Sequence, residues 1–463
     1  MGALRTFAKY LALTSVALNI YIYTYPSLHA QQCLWAFEPE LAGDGLGSKI
    51  AEIPYLGDLY RQYVASEVAS APKRVPEIKM MAFGDPQIGG VWPQTPYIKR
   101  LDTYGNDHYL GHIYRVMKAR LTPTHVAVLG DLFSSQWIGD TEFYNRTRRY
   151  ISRLFPQPAE YVTDIQHWID QHHDVDWRTY LDEKVAIPLA ELEFGYEDIY
   201  QWTVPELKAF NGEPLFINLT GNHDIGYAGD ATWQHMARYV KLFGKDNYWI
   251  EYDRETDHPW RIVVLNDLLL EGPALQEEFR TYTWEFLRQL GEQKFNGSTV
   301  LLTHIPFHKR EGLCVDGPKH VNYPHDYERE PYKQSLLRSQ NFIGFEESQK
   351  VLNTIFDNGK PGIILTGHDH EGCENWFNKL DNGTWEASKE KLGGQSVHEI
   401  TVRAMMGDFG GNTGLMTGRF DESTQEWQYE FSLCPFIVQH VWWGTKVFSS
   451  DSDSRNQHER IMT

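Results

Sequence analysis

The sequence predicts an α/β fold built on parallel strands, and two observations lead to this prediction. Between residues 78 and 370, five short apolar runs each close on a cluster that contains Gly or Pro, as buried strands do. Helical patterns such as "HIYRVMKARL" and "EESQKVLNTIFDNG" lie between these runs. Strand–helix alternation implies parallel strands, and the loops after parallel strands gather at one edge of a sheet.

Length and composition fit a large domain with insertions, although two or three domains would also be possible. The 463 residues are 41% hydrophobic, which is enough to bury a sizeable core. The net charge of −19 and the lack of a long basic run argue against nucleic acid as a partner.

The first thirty residues stand apart from the rest. Arg5 and Lys9 precede "YLALTSVALNIYIYTY", an uncharged run of sixteen residues. The run favours an uncleaved signal anchor over a signal peptide, because a cleavage site at Ala30 would have a large residue at its −3 position. The basic residues ahead of it favour a cytoplasmic N-terminus. We therefore predict a signal anchor over residues 1–30 and a lumenal lead-in over residues 31–77.

Side chains that ligate metals or move protons follow each of the five apolar runs. The runs are "IKMMAF", "HVAVL", "LFINL", "TVLL" and "GIIL". Because loops after parallel strands meet at one edge, we expect these side chains to face a single cleft. In chain order they are Asp85 and Gln87, Asp131, Asn222 with His223 and Asp224, His304, and His368 with His370.

These residue types suit a pair of divalent cations. Carboxylates supply hard oxygens and can bridge two cations, and a mixed set of oxygen and imidazole ligands suits manganese, iron or zinc. Two cations about 3.5–4 Å apart can bind a phosphate and activate a water molecule. His223 is the candidate proton donor to the leaving alkoxide, with Asp224 fixing its tautomer.

The ordered set D-x-Q, G-D, G-N-H-D, H and G-H-x-H resembles the calcineurin-like metallophosphoesterase family over roughly residues 78–420. The resemblance implies a sandwich of two mixed sheets flanked by helices, here preceded by the membrane anchor helix. It also implies two ligand sets that share Asp131 as a bridge. One set is Asp85, Gln87, Asp131 and His370, and the other is Asp131, Asn222, His304 and His368.

One ligand position departs from the family pattern. Gln87 stands where family members usually have His. An amide oxygen is a weaker ligand than imidazole, so the first site is expected to be looser. This favours manganese over zinc for the two divalent cations.

Further segments resemble one branch of the family, the fungal endoplasmic-reticulum enzymes that remodel GPI anchors. They are "GDPQI", "GDLFSSQWIG", "HIPFHKREGLC", "GHDHEGC" and "LCPF…HVWW". The resemblance implies a phosphodiesterase that removes an ethanolamine-phosphate side branch from a mannose of the GPI glycan and supports export of GPI-anchored proteins. It implies an endoplasmic-reticulum membrane protein with a lumenal catalytic domain. Its partners would be the GPI glycan, the membrane and transport receptors for GPI-anchored cargo.

Two other functions remain open. The chain could act on another lumenal phosphoester, such as a nucleotide or a phospholipid head group. It could also be a catalytically weak relic that binds GPI-anchored cargo, which Gln87 alone favours.

The predicted metallophosphoesterase domain, residues 78–433, contains a helical insertion over about 136–213, because Asn222 lies 91 positions after Asp131. The insertion is either a peripheral packing unit or a glycan-binding wall in which Trp137 and Trp168 stack on sugars. Residues 434–463 are predicted to form an aromatic membrane-proximal segment, "CPFIVQHVWWGTKVF", and a disordered tail.

The cysteines and the glycosylation sequences agree with an oxidising compartment. Four cysteines form an even set. We predict a disulfide between Cys314 and Cys373, which lie just beyond two loops that must converge. Cys33 and Cys434 are then left near the two membrane-proximal ends, and whether they pair with each other stays open. Of four N-x-S/T sequences, the one at Asn218 falls in a predicted core strand, and the three predicted glycosylation sites are Asn145, Asn296 and Asn382.

Overall fold

The computed structural model describes residues 2–29, 31–37, 75–90, 95–173, 175–185, 191–198 and 213–449. Most of its described strands belong to two sheets. In chain order the strands are β1 Ile78–Phe83, β2 His125–Val128, β3 Gly195–Glu197, β4 Leu215–Asn218, β5 Tyr248–Tyr252, β6 Trp260–Val264, β7 Ser298–Leu302, β8 His320–Asn322, β9 Leu337–Gln340, β10 Gly362–Thr366, β11 Cys373–Lys379, β12 Trp385–Ser388, β13 Ser396–Thr401, β14 Thr413–Asp421 and β15 Glu426–Cys434.

Both large sheets are mixed. The first has five strands in the order β15-β14-β1-β2-β4, in which β1, β2 and β4 are parallel. The second has eight strands in the order β12-β11-β13-β10-β7-β6-β5-β3, in which β6, β7, β10 and β13 are parallel. Strands β8 and β9 form a separate antiparallel pair.

Helices cover the outer faces of the sheets. The described α-helices are α1 Gly2–Thr24, α2 Tyr97–Leu121, α3 Asp140–Arg149, α4 Ala159–Gln171, α5 Trp177–Val185, α6 Asn222–Ile225, α7 Trp233–Phe243, α8 Glu277–Glu292 and α9 Phe345–Phe356. The Phe83 ring lies 6.0 Å from that of Tyr114 on α2. On the other side, the Arg261 side chain of β6 donates to the Ile355 carbonyl of α9.

The core between the two sheets follows from the alternation of side chains along each strand. Met80 and Ala82 of β1 belong to one buried cluster with Ile262 and Val300 of the second sheet. The neighbouring Met81 and Phe83 belong to the other cluster, which includes helical residues. The order of layers is helix, sheet, sheet, helix, which confirms the predicted pair of mixed sheets flanked by helices.

The five predicted strands are confirmed as β1, β2, β4, β7 and β10, but they are divided between the two sheets. The sheets join at the carboxyl ends of these strands, where Gly84 forms a parallel bridge with Ala404. The Met405 amide also donates to the Gly84 carbonyl at 2.8 Å. The loops of both sheets therefore meet at one end of the sandwich.

The described terminal segments pack together on the first sheet's side of the molecule, where Tyr23 of α1 contacts His112 of α2 and Cys33 is bonded to Cys434 at the end of β15. Cys314 and Cys373 form the predicted disulfide, and Cys33 and Cys434 form a second one. Residues 439–449 are helical, and Trp442 within them is buried.

The N-terminal segment forms helix α1. In the part of the chain that the structure describes, no helix combines the length and the apolar character needed to cross a membrane. The predicted signal anchor over residues 1–30 stays a prediction.

The described parts of the predicted insertion contain α3, α4 and α5 and the short strand β3, and the bounds of the insertion stay a prediction. Residues 199–212 of the insertion, residues 38–74 of the lead-in and the tail over 450–463 lie outside the described residues.

Candidate metal centre

The loops that carry the predicted ligands have an unusual backbone. Asp85, Gln87, Asp131 and His368 all have positive φ angles, of 44°, 39°, 51° and 73°. Such left-handed conformations are uncommon for residues with a side chain and concentrate at functional sites. Gly221 has no room for a side chain, because a Cβ at this position would lie 2.0 Å from the Asp131 amide nitrogen. The G-N-H-D sequence thus allows the β4 loop to lie directly against the β2 loop.

The first predicted ligand set comes together around the Asp131 carboxylate. Asp85, Asp131 and His370 each offer a ligand atom, and these atoms lie within 4.8 Å of one another. The Gln87 amide joins them, with Nε2 2.8 Å from Asp131 Oδ2 and 3.1 Å from His370 Nε2. It is thus the amide nitrogen, a donor, that faces the other ligands, whereas metal ligation would need the oxygen.

The second predicted set meets at Asn222. Its Oδ1 lies 3.1 Å from His304 Nε2 and 2.9 Å from His368 Nδ1. Asp131 Oδ1 lies 3.5 Å from His304 Nε2. Asp131 therefore contacts members of both sets, as the predicted bridge requires.

The tautomers of His304 and His368 make the second ligand set suitable for a cation. A carbonyl oxygen can only accept, so His304 Nδ1–H donates to Leu129 at 2.7 Å and His368 Nε2–H donates to Gln340 at 3.0 Å. Burial lowers the pKa of both rings, that of His368 to about 3, and keeps them neutral. Each remaining ring nitrogen then presents a lone pair towards Asn222 Oδ1, and converging lone pairs of this kind are what a metal ion satisfies.

The first set fits a cation for an electrostatic reason. Asp85 and Asp131 are both buried. Burial, and next the Asp131 carboxylate, raise the pKa of Asp85 well above its usual range. Burial also raises the pKa of Asp131, but nearby histidines, first His304, outweigh it and lower that pKa overall. A divalent cation between the carboxylates would offset their repulsion.

His223 is partly accessible, whereas Asp85, Asp131 and His304 are buried. Its side chain is 37% exposed, and its Nε2 lies 3.9 Å from Asp131 Oδ2. Its backbone amide donates to Asp131 Oδ1 at 2.8 Å, which fixes the residue beside the bridge. This position leaves the imidazole free to reach a bound substrate.

The predicted role of Asp224 as the group that fixes the His223 tautomer is not supported. The Asp224 carboxylate is buried and accepts from the amides of Gly221, Leu132 and Phe133 at 2.9, 3.1 and 3.0 Å. Among the described residues it makes no hydrogen bond or ion pair with the His223 ring. Asp224 instead joins the loop after β4 to the loop after β2.

Several supporting residues were not predicted from the sequence. Asp267 accepts from the Ile305 amide at 2.8 Å and so holds the loop of His304. Arg149 donates to the Gly89 carbonyl at 2.8 Å and pairs with buried Asp107, which holds the loop of Gln87. The carbonyls that orient His304 and His368 belong to the backbone and have no sequence signal at all.

The remaining predicted residues lie at the surface. The candidate glycosylation sites Asn145, Asn296 and Asn382 are exposed, whereas Asn218 accepts from the Tyr150 hydroxyl at 2.6 Å. This agrees with leaving Asn218 out, and modification of the other three stays a prediction.

Comparison with known proteins gives relatives that cover between 45% and 96% of this chain. No family model matches. The chain is 53% identical to Protein TED1 of Saccharomyces cerevisiae, over 96% of both chains. It is 25% identical to a Schizosaccharomyces pombe protein over 78% of this chain and 75% of that one. It is also 22% identical to Metallophosphoesterase 1 of Xenopus laevis, over 45% of this chain and 58% of the relative.

These relatives and the convergent ligand set lead to one conclusion. Such sites require divalent cations, which the carboxylate, amide and imidazole donors are suited to hold. The chain belongs to the calcineurin-like metallophosphoesterase family and is a metal-dependent phosphoric ester hydrolase.

Proposed function

We propose that this protein is a two-metal phosphodiesterase of the endoplasmic reticulum lumen that removes an ethanolamine-phosphate side branch from the GPI glycan. The observation that carries the hydrolytic part is the convergence of donors from five loops on Asp131, with accessible His223 beside it. The glycan part rests on the motif resemblance to GPI-remodelling enzymes.

The proposed roles divide the site into two cation positions. Asp85, Asp131 and His370 would hold one cation, with Gln87 after rotation of its amide. Asp131, Asn222, His304 and His368 would hold the other. When bound, the cations would orient the phosphate oxygens and activate a water molecule. Manganese is proposed because the donors are oxygens and imidazoles with a weak amide among them.

His223 would supply the proton for the leaving group. The fixed backbone bond to Asp131 positions its ring, and exposure lets that ring approach an alkoxide at the entrance. A positioned histidine of this kind is the usual general acid at neutral pH.

Trp137 is the better of the two tryptophans predicted to contact sugars. Its side chain is 54% exposed, and its ring lies 5.5 Å from that of His235. His235 in turn lies 3.1 Å from the Ile225 carbonyl at the end of α6, the helix of Asn222. Trp168 is instead stacked on His172 at 4.3 Å. The Lys333 ammonium lies 4.2 Å from the centroid of the Trp137 ring, so a sugar would stack on the exposed part of this ring, beside the loop of ligand Asn222.

Two features support the lumenal location. All four cysteines are paired in disulfides, which persist in oxidising compartments. The three candidate glycosylation sites are exposed, as acceptor sites in that compartment need to be.

Cells that lack the protein provide the test. Mass spectrometry of mature GPI anchors should find an extra ethanolamine phosphate, and re-expression of the wild-type chain but not of Asp131→Ala should remove it. Glycans identical to those of the parent strain would exclude this substrate and point to another lumenal phosphodiester.

A further inference from the structure

A loop over residues 313–319, here called the rim loop, lies beside the metal centre. The disulfide between Cys314 and Cys373 attaches this loop three positions after the predicted ligand His370. The side-chain amide of Asn375 supports the attachment, with its Nδ2 3.3 Å from Cys314 Sγ. The rim loop is therefore held against the loop that follows β10.

A second attachment lies on the side of ligand His368. The Gly317 carbonyl accepts from the Asn341 side chain at 3.3 Å. Asn341 follows Gln340, whose carbonyl accepts from the His368 ring at 3.0 Å. Asp316 stands between the two attachments and is half-buried at the rim of the centre.

Asp369 stands between the ligands His368 and His370, and its carboxylate faces the rim loop. The residue is only 3% exposed. Its Oδ1 accepts from the Glu371 amide at 3.1 Å, whereas its Oδ2 is buried with no hydrogen-bond partner among the described residues. The Asp316 amide is directed at the same carboxylate. An unpaired buried oxygen thus lies next to the rim loop.

The Asp316 and Asp369 carboxylates form a negative pair. Burial, and next the Asp316 carboxylate, raise the pKa of Asp369, so the two groups lie close enough to repel each other. In the part of the chain that the structure describes, neither carboxylate forms an ion pair. The Lys309 ammonium also acts on Asp369, but the Glu399 carboxylate binds it at 2.5 Å. A positively charged group of a ligand would relieve the repulsion.

We propose that Asp316 and Asp369 bind the ammonium group of the ethanolamine phosphate in the substrate. An ammonium carries only donors, and these two carboxylates supply acceptor oxygens. Two carbons and one oxygen separate nitrogen from phosphorus in ethanolamine phosphate, so a phosphate at the metal centre places the ammonium at the adjacent rim. Two carboxylates are too few for a further calcium or magnesium ion, which takes about six or more oxygen ligands.

The inference rests on the proposed function, because it concerns recognition of that same substrate. It adds the residues that distinguish an ethanolamine phosphodiester from a neutral one.

Turnover of two synthetic mannosides by the manganese-loaded full chain tests the proposal. One carries ethanolamine phosphate, and the other carries hydroxyethyl phosphate, in which a hydroxyl replaces the ammonium. Wild-type kcat/KM should be at least about tenfold higher for the first, since a hydrogen bond to a charged group contributes about that factor. Asp316→Asn should reduce the ratio of the two kcat/KM values to about one, chiefly by lowering the first. Asp316→Glu keeps the charge and should retain part of the preference.

Asp381→Asn is the matched control. Asp381 is exposed on the turn between β11 and β12, at the opposite end of β11 from Cys373, so its replacement should keep the wild-type ratio. Bound manganese in Asp316→Asn should equal that of the wild type, because Asp316 is not among the metal ligands.

An Asp316→Asn protein that keeps the wild-type ratio, or that loses kcat/KM equally on both mannosides, would overturn the ammonium subsite. Loss of manganese from this variant would overturn it too and would assign Asp316 to the metals. Wild-type hydrolysis of both mannosides without a preference would overturn the subsite alone. Hydrolysis of neither would overturn the proposed function and the subsite with it.

Discussion

Replacing Asp224 tests whether this residue has a structural role or a catalytic role. Its carboxylate accepts three backbone amides that no other described group satisfies, those of Gly221, Leu132 and Phe133. In Asp224→Ala these buried amides lose their acceptor. A buried donor left unpaired costs about 1–3 kcal/mol, so three cost about 3–9 kcal/mol before water relaxes the site.

That loss is large beside the total stability of a folded protein, which is about 5–15 kcal/mol. Urea unfolding of the metal-free protein should therefore show a clear decrease in the free energy of unfolding for Asp224→Ala. Asp224→Asn keeps one acceptor oxygen, so its decrease should be smaller. Exposed Asp326→Ala is the control and should stay within about 0.5 kcal/mol of the wild type.

A wild-type free energy of unfolding in Asp224→Ala would refute this reasoning. If the same variant then lost as much activity as His223→Ala, and the double variant lost no more than either, Asp224 would act through His223 after all.

Three further predictions concern the metal centre. Asp131→Ala should lose bound manganese and turnover while remaining folded, and more severely than Asn222→Ala, because Asp131 contacts both ligand sets; metal analysis and circular dichroism measure this. His223→Ala should keep its metals but lose about 10²–10⁴-fold in turnover on esters with alkoxide leaving groups. Gln87→His should tighten metal binding and shift preference towards zinc or iron in metal titrations.

Each of these has a contradicting result. Wild-type metal content in Asp131→Ala would show that Asp131 does not bridge the two cations. Normal turnover of His223→Ala on an ester with an alkoxide leaving group would show that His223 is not the proton donor. Unchanged metal affinity in Gln87→His would mean that residue 87 does not ligate, which the donor orientation of its Nε2 also allows.

The sequence predicts the ligand loops well because their signal is local. Each of Asp85, Asp131, Asn222, His304 and His368 follows a short apolar run, and a strand end places such residues at one edge whatever the rest of the chain does. The division of those strands between two sheets has no local signal. Strand order depends on contacts between segments that are distant in sequence, so the apolar runs alone could not predict two sheets. The prediction of two sheets came from the family resemblance instead.

The functions of side chains within the loops are harder to predict. His223 and Asp224 are neighbours in sequence, which suggested a shared role, but the one-turn helix α6 directs Asp224 to the β2 loop, 91 positions earlier. Arg149 and Asp267 support ligand loops from other elements. Their contribution is visible only when the packing is known.

The most direct measurement is an assay of the purified chain on GPI glycans that carry defined ethanolamine-phosphate branches. After chelation and dialysis the wild-type protein should release no ethanolamine phosphate, and addition of manganese should restore release. Asp131→Ala should stay inactive under both conditions. Metal-dependent hydrolysis of a simple phosphodiester without release from any of these glycans would contradict the proposed substrate, and no hydrolysis of either with metal bound would contradict the phosphodiesterase mechanism itself.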